Sequence, residues 1–264
     1  MNNQAIGIID SGLGGIAAIR ELNNTLPHEN VLYLSDIANF PYEKENRDTV
    51  KDYICKSAEF LASKNVKLII NACDFIGALP LNEKLNGLSV IGMQLPAAQV
   101  ACSSTKNGKI GIIGNAVAVR SGSISKAIKT IRPSTTVIGS ISSLIVPAVI
   151  DGYHKKNSDL IKSILSECLL PILNDGADTI IFGSIYFEFV SDLIREITGN
   201  SITLISPIKE AVKVAELSLF EHDTFSDSSN NGCNTLYVHG NEEFFKENSI
   251  KLSNFKINGK IIGC

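Results

Sequence analysis

Short, unbroken apolar runs alternate with helical stretches along the whole chain, and this alternation restricts the fold more than any other feature. The strand-like runs are residues 6–9, 31–34, 67–70, 109–113, 135–139, 179–182 and 203–205, with 235–239 closing the series. Between them, Ile16, Ile19 and Leu22 follow helical spacing, and residues 48–63 read as one long helix. Runs that are apolar at every position belong to strands buried on both faces. The pattern therefore predicts the α/β class with mainly parallel sheets. Ligands of such sheets bind beyond the carboxyl ends of the strands, so the residues that follow each run are the ones to inspect.

The chain also repeats itself. Val66-Lys67-Leu68-Ile69-Ile70-Asn71-Ala72-Cys73-Asp74-Phe75 aligns with Ala177-Asp178-Thr179-Ile180-Ile181-Phe182-Gly183-Ser184-Ile185-Tyr186, an offset of 111 that also relates Pro96 to Pro207. Ile6-Gly7-Ile8-Ile9-Asp10-Ser11 aligns with Ile110-Gly111-Ile112-Ile113-Gly114-Asn115 at an offset of 104. Two matches in the same order predict duplicated halves. The first domain is expected to comprise 1–95 plus 207–264, with Asp10 and Cys73, and the second 96–206, with Ser184. Residues 223–234, rich in Ser, Asn and Asp, read as a solvated loop. Strand 235–239 and a helix at 242–248 return to the first half.

Composition removes several function classes. The chain has 264 residues, with 24 basic against 27 acidic and a net charge of −3, which lacks the electrostatic footprint of a nucleic-acid binder. A hydrophobic content of 44% excludes intrinsic disorder. No apolar run approaches the roughly 18 residues of a membrane helix. The opening Met1-Asn2-Asn3-Gln4 is not the basic start of a signal peptide, so a cytoplasmic location is expected. The cysteines, at 55, 73, 102, 168, 233 and 264, show neither CxxC pairs nor zinc-ligand spacing, which predicts free thiols and no metal.

Asp10-Ser11-Gly12-Leu13-Gly14-Gly15 follows a strand and opens a helix. Its glycines permit close backbone approach and present helix amides to an anion. It is neither GxGxxG nor followed by a Walker lysine, so a nucleotide reading has little support. A plain strand-to-helix turn capped by Ser11 explains the same residues. Asp10, an acid at a strand's carboxyl end, is a candidate general base or an orienter of one. Cys73 lies at the same level, either as an inert buried thiol or as a reactive group. Phe40-Pro41-Tyr42 can form a wall or lid over a site, or a plain proline-aromatic turn. The four histidines, at 28, 154, 222 and 239, fall near loops or the end strand, and none is assigned a catalytic role. No lysine neighbourhood suggests a Schiff base, so no cofactor is expected.

Together these residues resemble the cofactor-independent aspartate/glutamate racemase family, and glutamate racemases in particular, over essentially the whole chain. Ile6 through Gly15 (IGIIDSGLGG) is similar to that family's opening signature, and residues 35–42 to its second-strand motif. Residues 109–122 resemble its GxIGT segment, and 237–245 its closing strand and helix. The resemblance implies two pseudo-symmetric α/β domains with a small-molecule ligand in the cleft between them. It also implies a pair of cysteines exchanging the α-proton on opposite faces of glutamate, with D-glutamate feeding peptidoglycan synthesis. It allows a homodimer. Duplicated halves suit such chemistry, because a planar carbanion needs one acid/base group on each face.

The departures fall on the proton machinery. Where the family has Cys-Asn-Thr, this chain has Cys73-Asp74-Phe75. Where it has Gly-Cys-Thr-His, here stand Gly183-Ser184-Ile185-Tyr186. A family glutamate falls at Ile150, and the threonine of GxIGT at Asn115. Carried over are Cys73 and Asp10 as catalytic candidates, and Ser11, Pro41 and Tyr42 as substrate contacts. Asp74, Phe75, Asn115, Ile185 and Tyr186 occupy altered contact positions, and Ser184 stands at the second cysteine's place. Ordinary two-cysteine racemisation is expected to be impaired or lost. The alternatives are one-sided chemistry by Cys73, or an inactive paralogue that binds a small ligand or a protein.

Overall fold

The computed structural model describes residues 3–73, 84–85, 87–229, 231–252 and 259–264. Its strands are β1 (Ile6–Asp10), β2 (Val31–Asp36), β3 (Leu68–Asn71), β4 (Lys84–Leu85), β5 (Leu88–Gly92), β6 (Lys109–Gly114), β7 (Thr136–Ile141), β8 (Thr179–Phe182), β9 (Thr203–Ile205), β10 (Asn234–His239) and β11 (Gly259–Gly263). They form two sheets, in the orders β11-β10-β2-β1-β3-β5-β4 and β7-β6-β8-β9. Every pairing is parallel except the short β4–β5 pair. The α/β class with mainly parallel sheets is the architecture observed.

The chain divides into two compact units, residues 1–93 with 211–264, and residues 94–210. Unit 1 holds the larger sheet, whose central strands run β2-β1-β3-β5. The sheet of unit 2 has the same order, β7-β6-β8-β9. The repeat maps directly onto this order: β3 becomes β8 at the offset of 111, with coincident ends, and β1 becomes β6 at 104. Both strands of each pair are apolar and buried at nearly every position, as a sheet covered on both faces requires.

Helices cover these sheets, and their starts follow ordinary capping chemistry. Asn46 accepts from the Thr49 amide at the head of the helix Arg47–Ser63, and Asn157 from the Leu160 amide at the head of Ser158–Asn174. Ile54, Ala58 and Leu61 of the first of these helices are buried against Ile9, Leu34 and Ile69 of the sheet. In unit 2, Ala97, Ala101, Ile124 and Ile128 pack on Ile110, Ile112 and Ile181. Each buried aliphatic side chain contributes roughly 1.5–3 kcal/mol, so these two layers hold their units together.

The polar stretch 223–234 differs from a simple solvated loop. Ser226 donates its amide and its hydroxyl to Glu29, each at 2.8 Å, and Lys67 donates to the Thr224 carbonyl at 2.8 Å. The Gly232 amide donates to the Pro27 carbonyl at 3.0 Å, where a Cβ would lie 2.1 Å from the Glu29 carbonyl. Composition shows the polarity of this segment but not the partners that tie it to the sheet. Among the described residues no helix is long and apolar enough to cross a membrane, and no cluster of His, Cys, Asp or Glu could hold a metal ion.

Candidate active site

Parallel register places the chemistry of unit 1 along one edge of its sheet. His239 pairs with Asp36, Asp10 with Ser35, and Ile9 with Asn71, so β10, β2, β1 and β3 end side by side. Their carboxyl ends therefore bring His239, Asp36, Asp10 and Cys73 to one level of unit 1.

Asp10 is 3% exposed. Its Oδ2 accepts the Gly15 amide at 3.0 Å and lies 3.0 Å from the Tyr33 hydroxyl. That hydroxyl is also 2.6 Å from the Gly12 carbonyl, which accepts the Ser35 hydroxyl as well. Burial pushes the Asp10 carboxyl above the usual range, against the opposing pull of the Gly15 amide, the Tyr33 hydroxyl and the Gly12 and Ser11 amides. The helix Gly15–Thr25 is not capped by Ser11, as the sequence suggested. Its N-cap is Gly14, without a side-chain bond, and the Asp10 carboxylate takes the first free amide instead. Gly12 and Leu13 separate Ser11 from the cap position, and Ser11 stays half-buried.

This loop explains the glycine at 15. A Cβ there would stand 2.3 Å from a ring carbon of Tyr33 and 3.1 Å from the Asp10 Cβ. Gly15→Ala is expected to displace Tyr33 and cost about 1–3 kcal/mol, the range for overpacking a tight core. Chemical denaturation of the variant against the wild type checks this. A cost within error would show that the ring moves freely.

Cys73 follows β3 and is 2% exposed, with its amide donating to Asn71 Oδ1 at 3.1 Å. It belongs to the same buried cluster as Ile9, Leu34 and Tyr42. Tyr42 is thus a buried wall, while Pro41 before it is half-buried. The Tyr42 hydroxyl donates to Asp36 Oδ2 at 2.6 Å. Burial first, then the bond and charge of Asp36, then the charges of Cys73 and Asp10, push its ionisation far above the usual phenol range. Tyr42 therefore stays a neutral hydroxyl within reach of the fields of both Cys73 and Asp10. Asp74 and Phe75 lie outside the described residues.

Two groups at this edge escaped the sequence reading, Asp36 and His239. Asn39 Nδ2 reaches both oxygens of Asp36 at 3.0 Å, and His239 Nδ1 lies 2.7 Å from Oδ1. Asp36 closes β2 as Asp10 closes β1, so the strand-end criterion applied to every strand would have singled it out. His239 closes β10 in the same way, but its pairing with Asp36, 203 residues away, is not written in either segment.

Unit 2 presents the duplicate of this edge. Ile113 pairs with Phe182, so Gly114-Asn115 and Gly183-Ser184 end adjacent strands. Asn115 caps the helix Ala116–Arg120, its Oδ1 accepting the Ala118 amide at 2.8 Å. Ser184 is 1% exposed and its hydroxyl oxygen accepts the Tyr186 amide at 3.5 Å. Ile185 and Tyr186 follow it in a buried 3-10 turn. Ile150 ends the helix Ile145–Ile150 and is half-buried. The two units thus carry matching strand ends with different chemistry: a thiol and two carboxylates in one, and in the other Asn115 and a serine followed by a turn that buries Ile185, Tyr186 and Glu188.

No family model matches the chain. It is 31% identical over 250 residues to the glutamate racemase of Streptococcus uberis, covering 94% of each chain. The glutamate racemase of Oceanobacillus iheyensis is 32% identical over 248 residues, covering 93% of this chain and 90% of that one. Among solved structures, glutamate racemase isoform RacE1 of Bacillus anthracis matches with a TM-score of 0.85 at 23% identity, over 99% of this chain and 98% of that one. The glutamate racemase of Francisella tularensis, solved with D-glutamate, gives the same TM-score at 24% identity and the same coverage. At those identities the structural likeness speaks for the fold.

Proposed function

The chain belongs to the glutamate racemase family, and on that premise we propose that it performs one-sided acid/base chemistry at the α-carbon of a glutamate-like amino acid, with Cys73 taking and returning the proton. The observation that carries this reading is the asymmetry of the matching strand ends. Cys73, Asp10 and Tyr42 remain at one, and Ser184 stands at the other.

A thiol ionises near pH ~8.5 before its surroundings act on it, so a thiolate is accessible near neutrality. In the proposed step the Cys73 thiolate accepts the α-proton. The C–H bond breaks, an S–H bond forms, and the electron pair remains on the α-carbon, delocalised into the substrate carboxylate. Solvent exchanges the thiol proton before it returns to the same face. Completing a racemisation needs a second acid on the other face. A serine hydroxyl is too weak an acid for that without a strong base beside it. The family's D-glutamate feeds peptidoglycan synthesis, a cytoplasmic process, and a loss of inversion here would separate this chain from that flux.

The test is incorporation of deuterium from D2O at Cα of D- and L-glutamate and D- and L-aspartate, read by proton NMR alongside optical rotation. Exchange into one enantiomer with rotation unchanged is expected. Steady inversion of either enantiomer would overturn the one-sided reading. A second reading is a ligand-binding paralogue without turnover, supported by the burial of Ser184 with Ile185 and Tyr186 beside it in place of the family's threonine and histidine. Saturable binding of a dicarboxylic amino acid with no exchange in any of them marks that outcome.

Ser184→Cys alone is expected to restore little inversion, below about 1% of the ~10²–10⁴-fold that a positioned acid/base contributes. The thiol would arrive without a neighbouring imidazole, since Tyr186 replaces the family histidine. Substantial racemisation by this variant would show that the thiol itself was the missing part.

A further inference from the structure

Asp36 sits at the centre of a network that the proton transfer by Cys73 does not itself require. It is buried, yet three donors surround its carboxylate: the Asn39 amide, the Tyr42 hydroxyl and the His239 imidazole. On one side this network ends at His239, whose side chain is 51% exposed. On the other it ends at Tyr42, which shares a buried cluster with Cys73. A chain of polar contacts therefore runs from solvent to the neighbourhood of the thiol, wholly within unit 1.

The direction of the Tyr42 hydrogen bond decides what this chain can do. The single phenolic hydrogen is committed to Asp36 at 2.6 Å, so it is not available to stabilise a thiolate. What Tyr42 transmits toward Cys73 is an oxygen and, behind it, the negative charge of Asp36. Left uncompensated, that charge holds the thiol in its protonated form, because a like charge disfavours ionisation. His239 is the group placed to balance it, at 2.7 Å on the opposite oxygen.

We propose that Asp36 and His239 form a charge-balancing pair that sets how readily Cys73 gives up its proton, with Tyr42 as the link between them. His239 is thus a positioning residue, acting on the thiol through Asp36 and Tyr42. The pair rests on the reading of Cys73 as the proton-transfer group, and it assigns to the half-exposed imidazole a regulatory role. With its ring nitrogen 2.7 Å from Asp36 Oδ1, His239 draws off part of the negative charge that Asp36 presents toward Tyr42. The other ionisable groups lining the same small cavity as His239 are Tyr53 and Lys56 on the helix Arg47–Ser63, and Cys264 just after β11. Burial first, then the charge of Asp36, push the Cys264 thiol above its usual range, with Lys64 opposing and Glu242 adding to the shift.

The test reads thiol ionisation directly and needs no turnover, so a failure of the racemase reading leaves it intact. Protein carrying ¹³C at the cysteine Cβ is titrated by NMR, with the Cys73 signal assigned by its loss in Cys73→Ser. Asp36→Asn is expected to lower the Cys73 midpoint, and His239→Gln to raise it, each by roughly one pH unit, the size of a single nearby charge. His239→Lys, which places a fixed cation beside Asp36, is expected to bring the midpoint below that of His239→Gln. The five other cysteine signals report whether each variant is folded. If Asp36→Asn does not fold, the half-exposed His239 position still decides the matter through its Gln and Lys variants. Midpoints that stay fixed, or that move in the same direction for Asp36→Asn and His239→Gln, would overturn the proposal, since a purely structural disturbance has no reason to take opposite signs.

Discussion

Cys73→Ala is expected to abolish α-deuterium exchange, a loss of about 10²–10⁴-fold, the contribution of a positioned acid/base group. The loss should appear in the rate at saturating amino acid rather than in the concentration needed for half-saturation, because a thiol that only moves a proton adds little to ground-state binding. Cys73→Ser sharpens the test. It keeps a small side chain with one exchangeable hydrogen but is more polar and far less acidic than the thiol, so it is expected to fall nearly as far as alanine. A structural role for Cys73 predicts the reverse pattern. Alanine at this buried position would then lower stability and activity together, while serine, closer to the thiol in size, would keep most of both. Exchange rates and thermal unfolding of both variants, measured side by side, separate the two cases. Full exchange activity in Cys73→Ser would remove Cys73 from the chemistry altogether.

The alternation of apolar runs and helices was legible because buried parallel strands are written without polar interruptions. β3 and β8 match their sequence counterparts to within a residue for that reason. β5 escaped the sequence reading because Leu88-Ser89-Val90-Ile91-Gly92 carries a serine and a glycine and is half-buried over most of its length. It has β4 on one side, the only antiparallel pairing among the described residues. At the site, Asp10 and Cys73 could be found one strand at a time, since each is a reactive group just beyond an apolar run. Asp36 and His239 each end a strand as well, but that they meet depends on the register between β2 and β10, which a linear reading does not contain. The opening loop shows the same limit in reverse. Its glycines and acid were readable, but the partner that makes Gly15 necessary, the Tyr33 ring, arrives from the neighbouring strand.

Lys67→Met is expected to destabilise unit 1 by about 3–5 kcal/mol, the cost of stranding one member of a buried ion pair. Lys67 and Glu29 pair directly, with side chains only 3% and 2% exposed. The ammonium also donates to the Thr224 carbonyl at 2.8 Å and to the Ser226 hydroxyl at 3.3 Å. With methionine in place, the Glu29 carboxylate keeps only the two Ser226 donors and loses its counter-charge in a site water does not reach. The double variant Lys67→Met with Glu29→Gln removes both charges and is expected to recover much of the loss, because a neutral buried pair carries no such desolvation cost. The exposed pair Lys56–Asp52, at 2.7 Å on the helix Arg47–Ser63, supplies the control, and its removal should cost below about 1 kcal/mol. Thermal unfolding at neutral pH measures all three, with Lys67→Met lowering the midpoint by about 10 °C at the usual 2–4 °C per kcal/mol for chains of this size. Added salt should leave that difference nearly unchanged, since buried charges are little screened. The loss also has a local consequence. Thr224 and Ser226 precede β10, the strand that ends in His239, so hydrogen exchange in Lys67→Met should quicken first at 224–229 and at the start of β10. Uniform quickening across the unit would mean that the ion pair holds the whole fold rather than this one segment.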